Sequence, residues 1–215
     1  MSTLTKSEVL KRIGKGDLVV SPILDSEQIG ASSIDMRLGN VFLMVRARGL
    51  SHVDPRRFVH TDGTAGDYAA EQARRQKHER YETPFGQQFL LHPGMLALVP
   101  TLEWVKLPAD LQGTVTARSC WAREGLSIAT ASLIHPGYKG IITLELANLG
   151  QIPLALYPGL RIAQIAFNNL SKPAAEVDMR SRFNMAFEPI EGNVSKGDER
   201  FLRPADGHKS AATGA

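Results

Sequence analysis

A single carboxylate interrupts one of the most apolar stretches of this chain. In GIITLELAN, Gly140–Asn148, Glu145 sits among Ile141, Ile142, Leu144 and Leu146. Strand alternation puts Ile141, Thr143, Glu145 and Ala147 on one face and Ile142, Leu144, Leu146 and Asn148 on the other. An acid on a partly apolar face needs a partner or carries a desolvation cost. Two chemistries meet that need. One is a structural salt bridge, for which Arg118 or Arg123 would serve. The other is a general base or proton shuttle, with a pKa raised by burial and lowered by a nearby arginine.

Those arginines lie in ARSCWAREGL, Ala117–Leu126. The stretch has helical character between Cys120 and Glu124, and Gly125 is a natural stop. Ser119, near the helix start, presents a hydroxyl and free backbone amides to an anion. Arg118 and Arg123 add fork-shaped donors suited to phosphate or carboxylate. The alternative is a surface turn with solvated arginines. Cys120 with Trp121 reads as packing, because no histidine is placed to make a thiol nucleophile. His92 and His135 each precede a Pro-Gly turn, but no His-x-His pair or other ligand cluster accompanies them. That counts against a cupin-type metal site. The His-x-Glu and Pro-Cys-x-x-Cys signature of zinc-dependent deaminases is missing too.

The elements that must position these groups are mostly strands. Three Pro-Gly turns recur, in LHPGMLALVP, IHPGYKGIITLEL and LYPGLRIAQIAF. Proline sets φ at the second turn position and glycine takes positive φ at the third, which is type II chemistry. Each turn leads into an apolar strand, and LPADLQGTVTAR adds another turn and strand. Short strands with this punctuation predict an all-β barrel or sandwich. Upstream, Thr5 and Glu8 have capping-box spacing for a short helix. Val9, Leu10 and Ile13 lie on its inner face and Gly14 ends it. DLVVSPIL reads as a strand ended by proline. SSIDMRLGNVFLMVRA is extended, with Ile34, Met36 and Leu38 alternating against Asp35 and Arg37, which read as a structural ion pair or turn support.

Two segments differ in character. Residues 46–88 are polar and weakly periodic, and a structureless loop of that length is unusual in a compact domain. They read as an excursion with a hairpin or a short helix around Tyr68–His78, at a subunit contact. Residues 171–215 form a tail poor in strand pattern, expected to be disordered from Arg203 and, before that, to fold over a site or a neighbouring subunit. The expected organisation is therefore a barrel domain over 1–170, including the excursion, followed by the tail.

Composition bounds the rest. The chain has 215 residues, enough for one sizeable core. A net charge of +3 is too small to argue for nucleic acid and suits a smaller polyanion such as a nucleotide. Cys120 is the single cysteine, so internal disulfides and multi-cysteine zinc sites are excluded, as expected of a cytoplasmic protein. The first residues lack the apolar core of a signal peptide, and no stretch reaches the roughly 20 apolar residues a membrane helix needs.

Taken together, GASSIDMRLGN (Gly30–Asn40), LHPGMLALVPTLEWVKLPADLQG (Leu91–Gly113), ARSCWAREGL and His135–Phe167 resemble the dCTP deaminase branch of the dUTPase-like superfamily. The similarity covers most of residues 7–170, with several motifs matching in order and spacing. The resemblance implies a distorted β barrel assembled as a homotrimer, with active sites at subunit contacts. It implies hydrolysis of the 4-amino group of a cytosine nucleotide to give dUTP and ammonia, without catalytic zinc, with Mg2+ carried by the triphosphate. The family's glutamate falls on Glu145, which would take a proton from the attacking water and pass protons to N3 and the leaving amine. The serine and arginine of its Arg-Ser-Ser-x-x-Arg motif fall on Ser119 and Arg123, which would position water, glutamate or base. Arg118 and Ser119 would meet phosphate oxygens. The Thr-Ala pair that holds the cytosine edge matches Thr130 and Ala131.

The pattern also departs from the family. Cys120 replaces the second serine of the phosphate motif, Leu133 stands where an arginine is usual, and His135 replaces the aspartate before the Pro-Gly turn. The Lys-Tyr-x-x-Gln type segment of the tail is missing. These departures keep a shorter or modified nucleotide open. The missing tail segment favours a non-catalytic nucleotide-binding homologue, and a dUTP-type diphosphatase or bifunctional enzyme is a further alternative that His135, in place of the aspartate, counts against.

Overall fold

The computed structural model describes residues 2–46, 78–128, 132–175 and 185–189. Met1–Val45 and Glu79–Ile190 form one compact unit; the other, Arg46–His78 with Glu191–Ala215, lies almost wholly outside the described residues.

The chain opens with helix α1, Lys6–Lys15. The Glu8 carboxylate accepts hydrogen bonds from the Thr5 backbone N–H at 2.8 Å and the Thr5 hydroxyl at 2.9 Å, tying down the helix start as the Thr5/Glu8 spacing predicts. Two details of that reading are corrected. The helix runs past Gly14 and ends at Gly16, which takes the left-handed conformation at φ 75°. Leu10 is exposed; Val9 and Ile13, four residues apart, make the inner face.

Twelve strands follow in the described residues: β1 Val19–Ser21, β2 Ile34–Arg37, β3 Val41–Val45, β4 His78–Glu82, β5 Phe89–Leu91, β6 Leu96–Lys106, β7 Leu111–Ala117, β8 Leu126–Ile128, β9 Leu133–Ile134, β10 Lys139–Asn148, β11 Leu154–Leu156 and β12 Arg161–Asn169. Between β7 and β8 lies one short helix, α2, Ser119–Arg123. One sheet runs β4-β3-β6-β10-β8 with β1 also on β6, a second runs β2-β12-β7-β9, and β5 pairs with β11. The predicted Pro-Gly turns all form. Met95, Tyr138 and Leu160 donate to the carbonyls of His92, His135 and Tyr157 at 3.1–3.2 Å, with Gly94, Gly137 and Gly159 at positive φ. Each launches one of the long strands β6, β10 and β12, so the turn chemistry sets where the framework begins. The core between the sheets is apolar, with Ile34, Met36, Phe42, Val99, Leu144, Ile165 and Phe167 all but inaccessible.

The predicted alternation of Ile34, Met36 and Leu38 against Asp35 and Arg37 holds. Asp35 and Arg37 are both ion-paired, but with other residues. The Arg37 guanidinium meets Asp25 and donates to the Gly159 carbonyl at 2.9 Å. The helix or hairpin expected around Tyr68–His78 falls outside the described residues, apart from His78 at the start of β4. Of the tail, Ala186 makes a parallel bridge to Gly140, with the Ile141 N–H donating to its carbonyl at 3.1 Å.

One buried acid holds the two sheets in register. Glu103, in β6, is fully buried and accepts from the Gln28 amide and from the Arg37 N–H of β2, each at 2.8 Å. Burial pushes its carboxyl up to about 7, against the pull of those donors and of the Arg37 guanidinium. A folded-state value above the ordinary 4.5 means that the folded protein holds this proton more tightly than the unfolded chain. Its contribution is complete below about pH 4.5 and is lost as pH rises through about 7. Urea unfolding at pH 5 and pH 8 is expected to show a fall in stability of about 1–3 kcal/mol that is missing in Glu103→Gln.

Candidate functional site

Strand β10 carries Glu145, and a bulge sets its aim. Pairing with β6 slips between Ile141 and Thr143, opposite Pro100–Trp104. The Ile142 N–H left over by the slip donates to the buried Thr101 hydroxyl oxygen at 3.0 Å, and that hydroxyl donates to the Glu103 carbonyl at 2.8 Å. The Tyr138 hydroxyl donates to the Ile141 carbonyl. So the Ile141 N–H and carbonyl and the Ile142 N–H all keep partners across the irregularity, as expected of a bulge that re-aims a strand. Beyond it the predicted alternation holds, with Ile142, Leu144 and Leu146 in the core and Thr143, Glu145 and Ala147 half-buried on the other face.

Glu145 pairs across the sheet with Leu98. Its Oε2 is buried and has no hydrogen-bond partner among the described residues. Burial raises its pKa, opposed by its own backbone N–H. An unpartnered buried carboxylate oxygen is costly unless something outside this set of residues meets it.

Neither arginine named by the sequence supplies that partner within one chain. Arg118 caps α2 and turns the other way. Its Nε lies 3.4 Å from the Asp35 carboxylate and its Nη1 is 3.4 Å from the Arg161 carbonyl. The Trp121 indole donates to the same carbonyl at 3.2 Å, and the Arg118 N–H donates to Ile162 at 3.1 Å. The start of α2 is thereby stitched to β12. Ser119, Cys120 and Arg123 are exposed, and among the described residues the side chains of Ser119 and Arg123 have no hydrogen bond or ion pair. Cys120 therefore does not pack as expected; Trp121 alone of that pair leans on the core. His135 is exposed at the head of its turn. Thr130 and Ala131 lie outside the described residues.

The other end of α2 is fastened to the end of β10. The Leu149 N–H donates to the Gly125 carbonyl at 2.9 Å. Gly125 has φ +90° and an added Cβ would lie 2.7 Å from the Gly150 nitrogen, so the close approach requires glycine twice over. Beneath this junction Asn148 is fully buried. Its amide donates to the carbonyls of Leu91 and Ile152, and its carbonyl accepts from the Gly150 N–H, all at 2.8 Å.

The structure thus groups Arg118, Ser119 and Arg123 on α2 and its N-cap, and gives Glu145 on its strand no bond to any of them within one chain. Sequence reasoning passed over three residues of this framework: Arg161, Asn148 and, as a partner of Arg118, Asp35. Asp35 and Arg161 did stand in matched stretches, GASSIDMRLGN and LYPGLRIAQIAF, but their meeting is long-range and leaves no local pattern. Among the described residues no group of three or more His, Cys, Asp or Glu is gathered as a metal site, and no helix is long and apolar enough to cross a membrane.

Residues 3–170 match the family model described as dCTP deaminase-like. A dCTP deaminase of Halorubrum lacusprofundi is 41% identical over 173 residues, covering 80% of this chain and 79% of that protein. A dUMP-forming dCTP deaminase of Dictyoglomus thermophilum is 40% identical, covering 80% and 82%. The 2′-deoxycytidine 5′-triphosphate deaminase of Agrobacterium tumefaciens, a crystal structure, shares the fold with a TM-score of 0.57 at 22% identity. That match covers 82% of this chain and 50% of the solved one. The strand architecture is accordingly the all-β, distorted barrel of dUTPase-like type that the turns and motifs predicted. With a family model spanning most of its length and relatives at this identity, the chain belongs to the dCTP deaminase-like family.

Proposed function

We propose that this protein hydrolyses the 4-amino group of dCTP, bound as its magnesium complex, and releases dUTP and ammonia from sites shared between copies of the chain. One observation carries the reading: the two halves of the constellation are complementary and each is unsatisfied alone. Glu145 keeps a buried carboxylate oxygen without a partner, while Ser119 and Arg123 stand exposed and unengaged among the described residues. Bringing α2 of one copy against β10 of another, in a homotrimer, meets both needs.

The chemistry follows from that juxtaposition. Water adds to C4 as Glu145 takes its proton. The acid then protonates N3, and a second transfer through the same carboxyl accompanies loss of the amine as ammonia. Burial raises the carboxyl pKa and the Arg123 guanidinium, once docked, lowers it, and these opposed effects suit one group to both accepting and donating a proton. Side-chain activation of water takes the place of zinc. Ser119 orients water or base, Arg118 and Ser119 receive phosphate oxygens beside Cys120 and His135, and Thr130 and Ala131 hold the cytosine edge.

A bifunctional reaction ending in dUMP is the second reading, favoured by the dUMP-forming name of a relative. Water at the α-phosphate calls for a directing carboxylate, and His135 stands where the superfamily's aspartate would help. Purified protein incubated with dCTP and magnesium is therefore expected to release ammonia and dUTP without pyrophosphate. Ammonia together with pyrophosphate establishes the bifunctional enzyme, pyrophosphate from dUTP alone a diphosphatase, and neither product a nucleotide-binding homologue.

A further inference from the structure

We infer that Asp35 is a positioning residue for the triphosphate, holding Arg118 and Arg161 as a pair of cations that share one carboxylate. The inference rests on the proposed nucleotide site and adds Asp35 and Arg161 to it. Asp35 lies on β2 with its side chain 15% exposed. The Arg118 Nε approaches one of its oxygens at 3.4 Å and the Arg161 Nη1 approaches the other at 3.7 Å. Both arginine side chains are about one-third exposed, at 32% and 30%. Two positive groups around one negative group leave a net positive charge facing outward.

The grip on Arg118 is directional. Its Nε faces Asp35 and its Nη1 faces the Arg161 carbonyl, so its Nη2 is the donor left over. A guanidinium held at Nε and Nη1 keeps Nη2 as a placed donor to a phosphate oxygen without ordering a long side chain on binding. Arg161 starts β12, directly after the third Pro-Gly turn, and its carbonyl also receives the Trp121 indole at 3.2 Å. Its position is thus set by the same framework that sets α2, next to Ser119. No other acid is ion-paired to either arginine among the described residues. A purely structural bridge would be served by one cation; the second makes the cluster a receptor for a polyanion.

The test uses the full-length protein and two variants, Asp35→Asn and Arg161→Gln. Inorganic tripolyphosphate is the first probe, its Kd measured by calorimetry, and dCTP turnover is the second. Asp35→Asn is expected to raise KM for dCTP roughly five- to tenfold with a much smaller change in kcat, and to weaken tripolyphosphate in parallel. Arg161→Gln, at a partly exposed side chain that folding tolerates, is expected to weaken tripolyphosphate by a similar factor. In a background carrying both Arg118→Gln and Arg161→Gln, Asp35→Asn is expected to have little further effect, which loss of fold alone would not produce. Unchanged tripolyphosphate affinity in Arg161→Gln, or an undiminished loss from Asp35→Asn when both arginines are already replaced, overturns the inference. Should Asp35→Asn not fold, the Arg161→Gln result decides. If wild-type protein binds tripolyphosphate yet releases no ammonia from dCTP, the deaminase reading fails while the cation pair is still judged by these affinities.

Discussion

Replacing Glu145 by glutamine is expected to lower ammonia release from dCTP by about 10²–10⁴-fold while leaving nucleotide affinity within a fewfold of wild type. Glutamine keeps the shape of the side chain on β10 and its place opposite Leu98, but it cannot take a proton from water. The variant also removes a charge whose burial is unfavourable and whose Oε2 has no partner among the described residues. Its melting temperature should therefore change little, the burial cost removed offsetting the contact with Arg123 of another copy that is lost. The combination separates a proton-transfer role from a structural one, since loss of a stabilising salt bridge would lower both stability and activity. Steady-state kinetics, dCTP binding and thermal unfolding on the same preparation check it. Turnover at the wild-type rate would exclude Glu145 as the base.

Asn148→Leu is expected to destabilise the fold by about 3–5 kcal/mol, the second large effect. Leucine matches the branching of asparagine but carries bulkier methyl groups, so crowding adds to the loss of hydrogen bonding. The Ile152 carbonyl and the Gly150 N–H lose their side-chain partner, and Leu91 loses a donor. The consequence reaches the site because the same junction holds Gly125 against Gly150 and anchors the end of α2. Denaturant unfolding should show the loss directly. Where the variant still folds, dCTP turnover should fall further than the population of folded protein explains, as Ser119 and Arg123 drift from their places.

What the sequence made legible was what is local. The Pro-Gly turns announce the long strands because proline and glycine fix φ within four residues, whatever lies elsewhere. The half-buried face of β10 was readable from its period of two, and Thr5 with Glu8 from a spacing of three. The end of α1 was less so, because Gly14 and Gly16 compete within GKG. The helix carries on while Arg12 is held by Asp17 and Asp110, and the left-handed turn falls to the later glycine. The bulge before Glu145 depends on Thr101 in another strand. The partner of Arg118 depends on β2 and β12 meeting beside α2. No window of sequence contains either fact, so the arginine that seemed available to Glu145 turned out to belong to Asp35. Resemblance filled part of that gap by naming Glu145, Ser119 and Arg123 together, a grouping that the single chain leaves open.

The central claim is that Glu145 of one copy works with Arg123 of another. Subunit complementation tests it most directly. Glu145→Gln and Arg123→Ala, each expected to be inactive, are coexpressed with different tags, and assemblies carrying both are isolated and assayed for ammonia release from dCTP. A site shared between copies predicts that these hybrids regain activity, since some interfaces then pair an intact glutamate with an intact arginine. Hybrids as inactive as their parents, alongside active hybrids of wild type with Glu145→Gln, would contradict it.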